Sequence, residues 1–192
     1  MSKYLYILDN GHGIDTKGKK SRVWDDRSQL KEFEFNRDIV KYISFELKSL
    51  KIDYKILVPE LVDIPLYERI DRANDLNKSR KCVLISIHGN AFHNANVKGI
   101  ETLYHYTSPK SFRLAWTFQY HLINDLHLKN RGLKPRTNIS ILKKTNMPAV
   151  LTENGFYTNR KECEWMLHAN SKYMIAQSHV KSIQDIEKNI QL

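Results

Sequence analysis

The sequence predicts an α/β fold built on a twisted, mostly parallel sheet flanked by helices, on two observations. Continuous apolar runs at 4–8, 82–87 and 149–151 are separated by longer stretches of helical periodicity. Apolar runs of about four to eight residues between helical segments are the pattern of strands covered on both faces, as parallel sheets require. Each run also ends on polar, glycine-bearing residues: Asp9-Asn10-Gly11-His12-Gly13, His88-Gly89-Asn90 and Glu153-Asn154-Gly155. Open α/β sheets bind ligands beyond the carboxyl ends of their strands. Two histidines and a carboxylate far apart in sequence are thereby expected to converge.

Taken in order, residues 3–9 are the first strand, followed by a polar loop over 13–31. A helix is predicted over 32–50, because Phe35, Ile39, Ile43 and Leu47 recur at i+4 on one face. Residues 53–58 are a second strand. Pro65 opens a helix carrying Leu66, Ile70, Ala73 and Leu76. The third strand spans 82–88, and the alternation over 99–106 predicts a fourth. Ser108-Pro109 starts a helix that runs to about 126. Arg131-Gly132-Leu133-Lys134 reads as the beginning of a loop, 139–142 as a short strand, and 148–152 as the last strand. Residues 160–192 read as two helices meeting near Asn170.

A chain of 192 residues is most simply one domain with a sizeable core, and neither repeats nor low-complexity linkers interrupt it. No apolar stretch approaches the length of a membrane span. The opening residues run straight into a strand that carries the first histidine motif, so they read as structure rather than a signal peptide. Cys82 and Cys163, in a strand and a helix with no CxxC spacing, read as buried free thiols. The net charge of +10 favours anionic partners, whether nucleic acid, an acidic polymer or a bacterial wall. With no aromatic RNA-binding motif, zinc-finger spacing or basic heptad helix, a nucleic-acid partner is not expected.

The chemistry lies at the strand ends. His12 and His88, each beside glycine, have room to reach a metal ion, whereas His93, His105, His121, His127, His168 and His179 lack that context. A catalytic zinc takes three protein ligands, two histidines and a glutamate being one such set. Glu32 and Glu34, which open the helix after the first strand, compete for the third place. They are rotated about 200° from one another around the helix, so only one faces the histidines. Glu153 follows an apolar strand directly, where its best role is general base toward the attacking water and then proton donor to the leaving group.

These pieces occur as an ordered set: Asp9-Asn-Gly-His12-Gly, Glu32-x-x-x-Asn36, Arg69-x-x-x-Ala73-Asn74, Ser86-Ile-His88-Gly-Asn90-Ala91, Arg131-Gly-Leu and Glu153-Asn-Gly-Phe156-x-x-Asn159. The set resembles the zinc-dependent N-acetylmuramoyl-L-alanine amidases of the amidase-3 type, over about residues 3–185. The resemblance implies a six-stranded sheet, Zn2+ held by His12, Glu32 and His88, and Glu153 as the catalytic residue. It favours Glu32 over Glu34, because the glutamate four residues before Asn36 occupies the ligand position. It further implies a peptidoglycan (muropeptide) substrate, cut at the amide between N-acetylmuramic acid and L-alanine. Asn10, Ile14 and Gly89 stand where proline, glycine and alanine are frequent in the family. The segment between Gly99 and Gly132 has room for one ordinary helix and not for an autoinhibitory insertion.

With its size and charge, this likeness extends to phage or prophage endolysins. The expectation is a single catalytic domain over 1–192 without a separate wall-binding domain. The chain is expected to be monomeric, made in the host cytoplasm without a signal peptide, and to act at the cell wall without membrane insertion. The rival readings are a host autolysin, a zinc peptidase acting on another amide, and a metal-free module that binds peptidoglycan or another polyanion without cutting it.

Overall fold

The computed structural model describes residues 2–192. Its strands are β1 (Leu5–Asn10), β2 (Tyr54–Ile56), β3 (Cys82–Asn90), β4 (Ile100–His105), β5 (Asn130–Arg136) and β6 (Ala149–Phe156). Its helices are α1 (Glu32–Ser49), α2 (Leu66–Ser79), α3 (Pro109–Leu126), α4 (Ser140–Lys144), α5 (Arg160–Leu167) and α6 (Ala169–Asn189). The strands form one six-stranded sheet in the order β2-β1-β3-β6-β4-β5. Every neighbouring pair is parallel except β4 and β6, which run antiparallel.

The expected mostly parallel, six-stranded sheet is therefore present, but two elements are corrected. The segment read as a loop from Arg131 is the edge strand β5, and the segment read as a short strand over 139–142 is instead the start of the one-turn helix α4. An edge strand has one bonded neighbour and half-buried side chains, so it tolerates the Arg, Gly, Lys and Pro that made this stretch look like a loop. Ile141 and Leu142 are buried, but a short apolar run does not by itself distinguish a strand from a helix.

Two cores pack against the sheet. On one face α1, α3, α5 and α6 bury the larger cluster, including Tyr6, Leu8, Phe35, Ile39, Val83, Ile85 and Phe118. The predicted face of α1 is this contact: Phe35, Ile39, Ile43 and Leu47 are all essentially inaccessible. On the other face the shorter α2 and α4 cover Ile7, Leu84, Leu103 and Leu151. Side chains alternate faces along a strand, so Asp9, Ser86, His88 and Glu153 continue this second face toward the carboxyl ends of β1, β3 and β6. Only short helices cover that side. A cavity of about 390 Å³ opens there, walled by the Asp9–His12 turn, Ser86, His88 and Leu151.

Cys82 and Cys163 are both buried and unbridged, as expected. No helix among the described residues is long and apolar enough to cross a membrane.

Candidate active site

Parallel pairing carries the site together. His88 and Glu153 are register partners on β3 and β6, and β1 lies on the other side of β3, so the turn after it brings His12 alongside. The two imidazoles meet edge to face at 5.0 Å between ring centres. Glu32, on the first turn of α1, completes the group: its Oε1 lies 3.3 Å from His12 Nε2 and 3.0 Å from His88 Nδ1. One ligand atom from each of the three residues falls within 4.8 Å of the others, and they are the one such metal-capable group among the described residues. Glu34 is exposed and pairs with Lys31 at 3.0 Å, so it lies outside this group while Glu32 lies within it.

His12 pays a local conformational cost for its position. Its φ of 67° lies in the left-handed region, which disfavours a side chain bearing a Cβ by about 1–2 kcal/mol. Two side chains of α1 hold the turn in place: Asn36 Nδ2 donates to Gly11 O at 2.9 Å and Arg37 Nη1 to His12 O at 2.8 Å. The flanking glycines have a literal purpose. A Cβ on Gly11 would stand 2.0 Å from Cε1 of His88, and one on Gly13 would stand 2.0 Å from the backbone nitrogen of Asp63. Gly89 is different, since its added Cβ would meet the flexible tip of Met166 at 3.1 Å. Gly11→Ala is therefore expected to displace the His88 ring and weaken metal affinity by about 10–100-fold, the range for disturbed ligand orientation. Gly89→Ala is expected to bind metal almost as the wild type does. Isothermal titration with zinc on the two variants checks the pair.

Further contacts hold these side chains in place. His88 Nε2 lies 3.1 Å from Ser86 Oγ, which donates to Asp9 Oδ2 at 2.6 Å. Asp9 Oδ1 is bound by Arg69 Nη1 at 2.7 Å, and Arg69 Nη2 reaches Asp63 at 2.6 Å. Asp9 and Arg69 are both buried, and breaking one side of such a pair costs about 3–5 kcal/mol. Tyr157 donates its hydroxyl to Glu32 Oε2 at 3.2 Å, leaving Oε1 for the histidines. Burial would push the Glu32 carboxyl upward, but its hydrogen bonds to His12 and His88 outweigh this and hold it well below the ordinary carboxylate range.

Glu153 has the opposite environment. Its Oε2 is covered and has no hydrogen-bond partner. Burial raises its pKa well above the ordinary value, and the carboxylates of Glu32 and Glu101 add to the rise, against weaker opposing effects from Lys19 and Arg136. Glu101 lies directly across from it on β4 and is itself paired with Arg131 Nε at 2.8 Å. A group raised in the folded state favours its protonated form. Without metal, Glu153 thus contributes stability that is fully present below its unfolded pKa, near 4.5, and lost as pH rises through the folded value. A general base at this position must be deprotonated, so activity is expected to fall on the acid side as Glu153 takes up a proton. A pH profile of kcat/KM on a soluble muropeptide checks this, with the acid limb disappearing from the residual activity of Glu153→Gln.

The remaining histidines lie outside the group. His105 contacts Thr107 at 2.9 Å. His179 is fully buried, its pKa lowered by that burial to about 4, between Ile175 O and Thr152 Oγ1. Two contributors were not visible in the sequence pattern, Tyr157 and Glu101. Tyr157 looks like any core aromatic, and Glu101 has no glycine context. The Arg131-Gly-Leu piece was the available pointer to Glu101, since Arg131 is its partner.

A parallel sheet with a histidine-glutamate-histidine group at its carboxyl edge and an unpartnered carboxylate beside it defines a metallohydrolase-like centre. The N-acetylmuramoyl-L-alanine amidase family of the amidase-3 type matches residues 7–185, and the chain belongs to that family. It is similar to the endolysin of Bacillus phage SPP1, 32% identical over 97% of this chain and 66% of the endolysin. It is also similar to the N-acetylmuramoyl-L-alanine amidase LytC of Bacillus subtilis strain 168, 29% identical over 90% of this chain and 33% of LytC. The chain thus spans about two thirds of the first relative and one third of the second. Among solved structures, an N-acetylmuramoyl-L-alanine amidase from Clostridium difficile 630 superposes with a TM-score of 0.88 at 30% identity, covering all of both chains. The catalytic domain of CwlV from Bacillus (Paenibacillus) polymyxa var. colistinus gives 0.83 at 25% identity, over 95% of this chain and 97% of that one.

Proposed function

We propose that this chain hydrolyses the amide between the lactyl group of N-acetylmuramic acid and L-alanine in peptidoglycan. The observation that carries the reading is Glu153, whose covered Oε2 has no partner, beside the group formed by His12, Glu32 and His88. A buried acceptor left unsatisfied is costly, and this one stands on β6 in register with His88 of that group. A pure binding module has no use for it.

The donor set fits Zn2+: two imidazole nitrogens and one carboxylate oxygen form one of the sets found in zinc hydrolases, with a position left for water or substrate. His12, Glu32 and His88 would hold the ion, which supplies Lewis-acid polarisation of the amide carbonyl and makes water more acidic. Glu153 takes a proton from the attacking water and returns it to the departing L-alanine nitrogen. Ser86 and Asp9 orient His88, Tyr157 orients Glu32, and Arg69 holds Asp9 in place.

Residues 1–192 act in this reading as one catalytic domain, monomeric, at the bacterial wall, in the manner of a phage or prophage endolysin. The likeness to the SPP1 endolysin over nearly the whole chain supports that origin. The test is to digest purified peptidoglycan and identify the new ends by mass spectrometry. Stem peptides with a free L-alanine amino group, and glycan strands whose lactyl carboxyls are free, are expected. New reducing sugar ends, or cuts between amino acids of the stem, would contradict it.

A further inference from the structure

We propose that a second cleft, on the α5 side of the same sheet edge, binds the phosphodiester groups of an anionic wall polymer. Its volume is about 510 Å³, and it shares no lining residue with the cavity at His12 and His88. Arg22, from the loop after β1, Lys98, from the loop after β3, and Lys161, at the start of α5, line it together with Arg160, Asn96 and Asn159. No carboxylate lines it. Arg160 is already paired, with Asp26 at 2.7 Å and Glu164 at 2.6 Å. Arg22, Lys98 and Lys161 make no contact-distance ion pair with the described residues, so three cations surround one concavity, with Glu162 acting on Lys98 from behind it. Such an arrangement is self-repulsive and raises the local concentration of an anion.

The cleft is built rather than incidental. The guanidinium carbons of Arg22 and Arg160 stand 4.2 and 4.9 Å from the Trp24 ring centre. That ring is itself buried, with Nε1 donating to Cys163 Sγ at 3.2 Å. Asn159 Nδ2 donates to Ala95 O at 2.7 Å and Phe92 N to Thr158 Oγ1 at 3.1 Å, tying the loop after β3 to the start of α5. Glu162, behind this wall, spends both carboxylate oxygens on the backbone N–H groups of Gly99 and Phe156, each at 2.7 Å.

The ligand chemistry follows from this inventory. Three cations with the side-chain amide of Asn96 suit a tetrahedral oxyanion with several acceptors, and the volume leaves room for the polyol to which a phosphate is esterified. Nucleic acid is disfavoured by Trp24. It is the aromatic residue of the cleft, yet it is only 5% exposed and covered by guanidinium groups, so no ring face is open for base stacking. That the polymer belongs to the wall rests on the amidase reading, while the preference for phosphodiesters does not.

The experiment compares the full chain with Arg22→Ala/Lys98→Ala/Lys161→Ala and with a charge-matched control, Lys41→Ala/Lys51→Ala/Lys188→Ala. All six positions are exposed, so both variants should fold. Binding is measured to poly(glycerol phosphate), inorganic phosphate and duplex DNA, and to walls before and after removal of their phosphodiester polymer. The cleft variant is expected to bind poly(glycerol phosphate) and intact walls about tenfold more weakly, the order that three exposed charge pairs contribute. The control should change less than about twofold, because its charges meet no built site. Stripped walls should no longer distinguish the cleft variant from the wild type, and inorganic phosphate should displace the polymer only in large excess. Hydrolysis of a soluble muropeptide should be unchanged in both variants. Equal losses in the two variants would reduce the effect to net charge and overturn the proposal, as would unchanged binding by the cleft variant. Tighter binding of DNA than of poly(glycerol phosphate) would also overturn it. Wild-type protein that binds the polymer but releases no muropeptide would contradict the amidase reading alone.

Discussion

Glu153→Gln is expected to lower turnover on a soluble muropeptide by at least about 10²-fold, the lower end of what a positioned acid–base group supplies. The change keeps the shape of the side chain and removes its ability to take a proton. His12, Glu32 and His88 are untouched, so one metal ion per chain should stay bound. KM should move little, because the loss falls on the transition state. The metal-free variant should also be more stable than the wild type at neutral pH. Burial and the neighbouring carboxylates of Glu32 and Glu101 raise the pKa of Glu153, so ionising it costs folding free energy that a neutral amide does not. Kinetics, metal analysis and thermal unfolding together check this. Near wild-type turnover would remove Glu153 from the chemistry, and loss of metal would make it a ligand.

His12→Ala, His88→Ala and Glu32→Gln are each expected to abolish stoichiometric zinc binding and with it hydrolysis. Glu34→Gln should leave both nearly unchanged. Each of the three ligands contributes one atom to a group less than 4.8 Å across, and a site reduced to two ligands no longer matches a catalytic zinc centre. Glu34 meets only Lys31, in solvent, where an exposed pair contributes about 0–1 kcal/mol. Metal content of the purified variants is the readout. A Glu34→Gln protein that lost its metal while Glu32→Gln kept it would move the ligand two residues along the helix.

The parts of this site carried by backbone pattern are legible in the sequence. Buried strands announce themselves as apolar runs, and a glycine beside a strand-end histidine marks a close approach, which here is the ring of His88 against Gly11. Which carboxylate completes the group was not decided by spacing, since both Glu32 and Glu34 sit on the first turn of α1 and either suits a helix N-terminus. The resemblance to the amidases favoured Glu32, and burial against the histidines agrees with it.

What stayed hidden depends on tertiary context. β5 is polar because it is an edge strand, and α4 is apolar because its one turn closes the smaller core. Tyr157 acts through a hydroxyl whose partner lies 125 residues away. Glu101 matters through a register across an antiparallel pair that a mostly parallel pattern gives no reason to expect. The basic cleft was present in the sequence only as net charge. Its shape comes from three loops meeting around a buried tryptophan.

The most direct measurement is a metal titration of the wild-type chain after chelation, reading bound zinc and the release of L-alanine amino groups from a muropeptide in the same samples. Both should rise together from zero and level off at one ion per chain, with no activity before zinc is added. Full amidase activity in protein shown to hold no metal would contradict the assignment of His12, Glu32 and His88, whatever the products.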